Sequence, residues 1–301
     1  MKLALGTVQF GLDYGISNSQ GQSSRAEVSE ILQLAQQEGI DLLDTAPGYG
    51  DAEAIVGEAI STLPNMNVMT KVSALTENPS EIIGSSVEEA FNKSCERLGR
   101  NSLYCLMVHR CQDLLGPNGP ALADAMVSLK NQGRVERIGI STHDVDQAKL
   151  VARRFPIDLV QMPLNVLDQR LLSSTVFEDF QRANIELHVR SVFLQGVLLM
   201  SPAELPDFLN PLTETLVAFH AMLKLTGLSM LAGALAFARQ QEALSRIIVG
   251  VASKRQLEGL LTAYSEAENC EVDFSEFARQ EEILINPGKW PNAWPPIQFK
   301  K

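Results

Sequence analysis

Short apolar runs and amphipathic stretches of helical period alternate along the whole chain. The runs Leu3–Thr7, Ile40–Leu43, Val68–Thr70, Leu103–Val108, Arg137–Ile140, Asp158–Met162, Ile185–Arg190 and Ile247–Val249 read as buried strands. Between them the pattern predicts helices. Ser24 and Glu27 form a capping box ahead of an apolar face made by Val28, Ile31, Leu32 and Ala35, and Gly39 stops that helix. A short helix runs from Asp51 to Ile60. The next opens at Asn78, Pro79 and Glu81 and buries Ile83, Val87, Ala90, Phe91 and Leu98. Further helices are expected over Ala121–Lys130, after a cap at Asp144 with Gln147 in the box position, and over Leu171–Arg182. A longer helical region spans Pro211 to Arg239, and the box formed by Ser253 and Gln256 opens the last helix.

The alternation gives eight strand–helix units, the repeat of a parallel α/β barrel of the (β/α)8 TIM type. A doubly wound sheet shares the alternation. Its dinucleotide-binding form carries Gly-x-Gly-x-x-Gly after the first strand, whereas here Leu5-Gly6-Thr7-Val8-Gln9-Phe10-Gly11 has the wrong spacing. No linker, repeat or low-complexity segment divides the 301 residues, so one domain over 1–301 is expected.

Composition narrows the function. Hydrophobic content of 45% with 20% charged residues suits a large core. A net charge of −11 argues against nucleic acid as a partner, since phosphate neutralisation needs clustered Lys and Arg. Cys95, Cys105, Cys111 and Cys270 form no Cys-x-x-Cys pair and no metal-ligand spacing, so they read as reduced thiols and no metal is expected. The apolar start is interrupted by Gln9 and Asp13, which fits neither a signal peptide nor a membrane span. A soluble cytoplasmic protein, monomeric or a weak homo-oligomer, is the expectation.

Three consecutive strand exits carry ionisable groups. The run Ile40–Leu43 delivers Asp44 into a tight turn that ends at Tyr49 and Gly50. The run at Val68 delivers Lys71, and Leu103–Val108 delivers His109. Strand exits at one barrel mouth are where such folds place their chemistry.

These residues resemble the aldo-keto reductase family, and the resemblance runs from Leu5 to about Leu260. Leu5-Gly-Thr7 is similar to the family's first strand. Asp44-Thr-Ala-x-x-Tyr49-Gly50, followed by Glu53 and Gly57, resembles its most recognisable signature. Lys71 and His109 fall at the matching later strand ends. Gly133 to Ser141 resembles the fifth strand and its approach, Gln161-Met-Pro-Leu-Asn165 the sixth, and Arg190-Ser-Val-Phe-Leu-Gln-Gly196 the seventh. Ile248-Val-Gly250 with Gln256 is similar to the cofactor motif near the end.

The resemblance implies an oxidoreductase that uses NADPH, with NADH as the alternative, to reduce a small or sugar-like aldehyde or ketone. It implies a catalytic group of Tyr49, Asp44, Lys71 and His109. Hydride delivery to a carbonyl builds negative charge on oxygen, which must be stabilised and protonated. A phenol is a weak acid at neutral pH. An ammonium beside it, such as Lys71, favours the phenolate and strengthens the acid. Asp44 would keep Lys71 charged and His109 would orient the carbonyl. The resemblance further implies cofactor contacts from Gly6 and Thr7. Ser141 and Gln161 would hold the nicotinamide amide, with Asn165 a weaker candidate. Ser191 and Leu194 would lie along the pyrophosphate, and Gly250, Ser253, Lys254 and Gln256 near the adenosine. Lys254 or Arg255 would meet a 2′-phosphate at a helix N-terminus.

Several positions depart from the family pattern. The hairpin that often plugs the barrel floor is reduced or absent. Arg190 stands where many members stack an aromatic ring on the nicotinamide, a role that a planar guanidinium can take. Thr142, Ala252 and the Gly259-Leu260 pair also differ from the common residues. Two other functions stay open: the reverse reaction, as an alcohol or sugar dehydrogenase, and a nicotinamide-sensing regulatory subunit. His143 would touch substrate or brace its loop, His188 would pack in the barrel wall, and His220 would lie on an outer helix. Cys105 and Cys111 read as structural. Asp51 and Glu53 read as acids suited to a helix start. The tail at 286–301, with Trp290, Trp294 and four prolines, cannot form a regular helix and is expected over the barrel mouth.

Overall fold

The strands observed in a computed structural model, which describes residues 1–73, 80–172 and 174–291, follow the apolar runs. They are β1 (Leu3–Gly6), β2 (Leu42–Asp44), β3 (Asn67–Val72), β4 (Leu103–Val108), β5 (Val135–Ser141), β6 (Leu159–Pro163), β7 (Glu186–Arg190) and β8 (Arg246–Gly250). Each pairs in parallel with the next, and β8 pairs with β1, so the sheet closes into an eight-stranded barrel. Both faces of the strands are apolar because both are covered. Ala4, Leu42, Met69, Cys105, Met107, Leu159 and Ile248 fill the interior. Outward residues such as Leu5, Leu43, Val68, Leu106, Ile140, Val160 and Val249 pack against the helices.

The helices are α1 (Val8–Gly11), α2 (Arg25–Gln37), α3 (Ala52–Ala59), α4 (Ile83–Leu98), α5 (Gln112–Leu115), α6 (Gly119–Asn131) and α7 (Val145–Arg154). They continue with α8 (Val176–Arg182), α9 (Thr213–Thr226), α10 (Met230–Arg239), α11 (Lys254–Glu266) and α12 (Glu282–Ile285). The three expected caps form: Ser24, Asp144 and Ser253 each accept a backbone N–H of the first turn. The expected opening of α4 at Asn78 and Pro79 lies outside the described residues; of its expected buried face Ile83, Val87, Phe91 and Leu98 are buried, while Ala90 is only partly so.

The structure moves several boundaries. Ile40 is not in a strand, because its N–H closes the end of α2 on the Ala35 carbonyl, with Gly39 at a φ of 76°. The helix expected from Leu171 begins only at Val176. The Ser174 hydroxyl donates to the Leu171 carbonyl and accepts from Val176 N–H, a local turn that competes with helix. The long region from Pro211 divides where Gly227, at a φ of 74°, caps α9 and Ser229 caps α10. Of the tail, Trp290 is buried with its ring centroid 5.6 Å from that of Phe208. The rest of the tail lies outside the described residues. Among those residues no single helix is long and apolar enough to cross a membrane.

Candidate active site

Side chains alternate between the faces of a strand, so the interior residues fix which others point inward. Stepping by two from Ala4, Leu42, Met69 and Ile248 reaches Gly6, Asp44, Lys71 and Gly250. The same step from Met107 reaches His109, and from Leu159 reaches Gln161. Register pairs Gln161 with Ser141 and with His188, which places Arg190 on the inner face too. The expected groups thus gather at the C-terminal mouth.

At its centre is Lys71, fully buried on β3. Its ammonium donates to Asp44 Oδ1 at 2.6 Å, to the Thr45 carbonyl at 2.9 Å and to Tyr49 Oη at 3.3 Å. Burial works to lower the Lys71 pKa, but Asp44 and Tyr49 outweigh it and leave it raised above the ordinary value. His109 meets Tyr49 edge to face, with ring centroids 6.4 Å apart. Burial, helped by the charges of Lys71, Arg190 and Arg110, pushes its pKa down to about 3, so the imidazole is neutral. Cys105 and Cys111 are held as thiols by burial, Cys111 with a pKa of about 12, which leaves no thiolate nucleophile there.

The turn that carries Tyr49 is fixed by close backbone packing. A Cβ at Gly11 would lie 1.9 Å from the Tyr49 carbonyl oxygen, and one at Gly50 would lie 2.4 Å from the Gly11 oxygen. Thr7 is buried and bonds through its N–H and hydroxyl to the Asp44 carbonyl at 3.0 and 3.1 Å. Glu53 is more than an acid suited to a helix start. It is buried, accepts from Thr70 Oγ1 at 2.6 Å and from Arg97 Nε at 2.7 Å, and so ties α3 to β3 beside Lys71 and to α4.

The residues expected at the cofactor are less uniform. Ser141 Oγ donates to Gln161 Oε1 at 3.2 Å, leaving Gln161 Nε2 a buried donor with no partner. Asn165 is otherwise engaged: Oδ1 accepts from Leu167 and Asp168 N–H, and Nδ2 donates to the Ser191 carbonyl at 3.0 Å. It shapes the loop after β6. Ser191, Leu194 and Gln195 all have positive φ, in a loop bonded to Tyr14 through Gln195 Nε2 at 3.1 Å. Arg190 donates to His143 Nε2 at 2.9 Å and Ser191 Oγ at 3.3 Å. Gly250 abuts the Gln9 amide, and Gly6 faces the end of β8. Ser253 caps α11 by accepting from Gln256 N–H, and Gln256 Oε1 reaches one residue beyond the cap to accept from Ala252 N–H at 2.7 Å. A feature invisible in the sequence stands beside it. Glu27 Oε1 of α2 accepts the Lys254 backbone N–H at 2.5 Å, while the Lys254 ammonium lies 3.5 Å from Glu30. His188 is fully buried and bonded to Glu186 at 3.1 Å, as a wall residue.

Comparison with known proteins bears on the family and the fold. The Aldo/keto reductase family model matches residues 2–284. The chain is 26% identical over 217 residues to an NADH-specific methylglyoxal reductase of Escherichia coli, covering 65% of each chain. That match falls short of two thirds of the relative's length. It is 25% identical over 285 residues to L-galactose dehydrogenase of Arabidopsis thaliana, covering 89% of this chain and 86% of that one. An aldo-keto reductase of Bacillus halodurans shares the fold with a TM-score of 0.69 at 21% identity, over 92% of this chain and 89% of that one. The chain belongs to the aldo/keto reductase family of oxidoreductases.

Proposed function

We propose that this protein reduces a small aldehyde or ketone to an alcohol with a nicotinamide dinucleotide, Tyr49 acting as the proton donor. The observation that carries this reading is the buried Lys71 ammonium, joined at once to the Asp44 carboxylate and the Tyr49 hydroxyl. When bound, reduced nicotinamide supplies the hydride. As the carbonyl oxygen gains charge, the Tyr49 hydroxyl gives up its proton, and Lys71 stabilises the phenolate that remains. Asp44 holds Lys71 charged and in place. Neutral His109 offers one N–H to the carbonyl oxygen without placing a further cation in the pocket.

The cofactor fits the residues present. Gln161 Nε2, a buried donor without a partner, suits the oxygen of the nicotinamide amide, with Ser141 orienting it. Gly6, Thr7, Arg190, Ser191 and Leu194 would line its path. Gly250, Ser253, Lys254 and Gln256 would take the adenosine end. There the carboxylate of Glu27 already holds the Lys254 N–H, and Glu30 pairs with the Lys254 ammonium. A 2′-phosphate would have to displace one carboxylate and sit beside another. We therefore favour NADH over NADPH.

The test follows nicotinamide absorbance with NADH and a reactive aromatic aldehyde. Tyr49→Phe should reduce kcat by about 10²-fold or more, the usual range for loss of a general acid. An unchanged rate in that variant would remove Tyr49 from the mechanism.

A further inference from the structure

Arg190, at the end of β7, is a guanidinium that meets no carboxylate among the described residues. Arg97, Arg137, Arg170, Arg239 and Arg246, on other parts of the barrel, each meet an acidic side chain. Arg190 is partly buried, yet its hydrogen bonds run to two neutral groups, His143 Nε2 at 2.9 Å and Ser191 Oγ at 3.3 Å. Among the described residues no carboxylate pairs with it. Two of the five N–H groups of a guanidinium are thereby used, and among the described residues the others meet no acceptor.

His143 does not supply the missing charge. Because Nε2 accepts from Arg190, the ring proton sits on Nδ1, and that nitrogen is buried without a hydrogen-bond partner. The neighbouring guanidinium, with burial, pushes the His143 pKa down to about 3, so the ring stays neutral. The pair therefore carries one net positive charge and an unused buried donor. Its field is felt at the reacting centre, since Arg190 also lowers the pKa of His109 and acts on Tyr14.

Because Arg190 is only partly buried, an anion can reach its unused N–H groups, and among the described residues no carboxylate competes for them. We propose that Arg190 and His143 form a carboxylate-binding position in the substrate pocket, so that the carbonyl compound reduced here carries a carboxylate group. This rests on the reductase reading of the same mouth. A guanidinium fork matches the two oxygens of a carboxylate. A monoanion also balances the single charge. The next cation, Arg170, is already held by Asp168 and Glu282, which leaves too little charge for a phosphoryl dianion. The fork donates from its edge and keeps its face free for a nicotinamide ring, so the two roles are compatible.

The experiment compares 4-formylbenzoate with its neutral isostere 4-formylbenzamide. Binding is measured by calorimetry on the protein alone and on the protein saturated with NAD⁺. Reduction of both aldehydes is then followed with NADH. The wild type should favour the carboxylate by about tenfold or more, in line with a charge-assisted hydrogen bond. Arg190→Gln should bring that ratio near one, while Arg190→Lys keeps part of it through charge without the fork. The ratio should also fall as salt rises. A ratio near one in the wild type, or one that survives in Arg190→Gln, overturns the proposal. Turnover of the benzamide tests the reductase reading separately: if neither aldehyde is reduced, that reading fails and the binding ratio still decides the role of Arg190.

Discussion

Lys71 Nζ lies 2.6 Å from Asp44 Oδ1 inside the barrel, with 1% and 6% of the two side chains exposed. Two adjacent strands thus share an ion pair in a medium where either charge alone is costly. Asp44→Asn or Lys71→Met should each destabilise the fold by about 3–5 kcal/mol. The double variant should recover much of that loss while remaining inactive. Urea unfolding of the four proteins checks the cycle, and additive losses would mean the pair is not coupled.

His109 carries no charge over the working range of pH, since its pKa is about 3 against an ordinary 6.5. The pH–rate profile of aldehyde reduction should therefore show no break between pH 6 and 7. The same shift acts on stability. Between pH 6.5 and 3 the unfolded chain binds a proton at this position that the folded chain does not, so the stabilising contribution is present above 6.5 and lost as pH falls towards 3. His109→Gln should gain on the wild type by at most about 1.4 kcal/mol per pH unit across that window. Unfolding free energies at neutral and mildly acidic pH give the comparison.

Glu27 occupies the N-terminus of α11 through the Lys254 amide, 2.5 Å away. Fluorescence titration should find NADH bound more tightly than NADPH. Glu27→Gln, which removes the charge and keeps the acceptor, should narrow the gap by strengthening NADPH binding several-fold, as expected of one charge near a phosphate. Tighter binding of NADPH by the wild type would set the argument aside.

Gly11 and Gly84 should respond oppositely to the same substitution. A Cβ at Gly11 would press on the backbone of Tyr49 and Ala52, at 1.9 and 2.5 Å, whereas Gly84 on α4 has open space around it. Gly11→Ala should cost about 1–3 kcal/mol and lower activity by displacing Tyr49. Gly84→Ala should stabilise the helix by about 0.5–1 kcal/mol with activity unchanged. Melting temperatures and initial rates of both variants settle the contrast.

What could be read from the sequence follows from how each group is placed. Asp44, Lys71 and His109 stand at the ends of apolar runs, and the two-residue period of a strand is enough to aim them inward. The eight strands were legible for the same reason. Glu53 stands in the first turn of α3 as expected, but its bonds to Thr70 and Arg97 could not be read because those partners lie on other elements. Asn165 resembled a ligand contact, but loop backbone absorbs its amide. The contacts of Glu27 with Lys254 and of Arg190 with His143 join positions far apart in the chain, which periodicity cannot connect.

The pairing of β1 with β8 has a consequence for the chain as it is made. Asp44, Tyr49, Lys71 and His109 leave the ribosome early, but β1 keeps an unpaired edge until Arg246 to Gly250 have followed. An open parallel edge is a site for wrong partners, so the nascent chain is exposed until β8 has been made. The half proposed to donate the proton is built first, and the half proposed to hold the cofactor, at Gly250 and Ser253, arrives with the strand that seals the barrel.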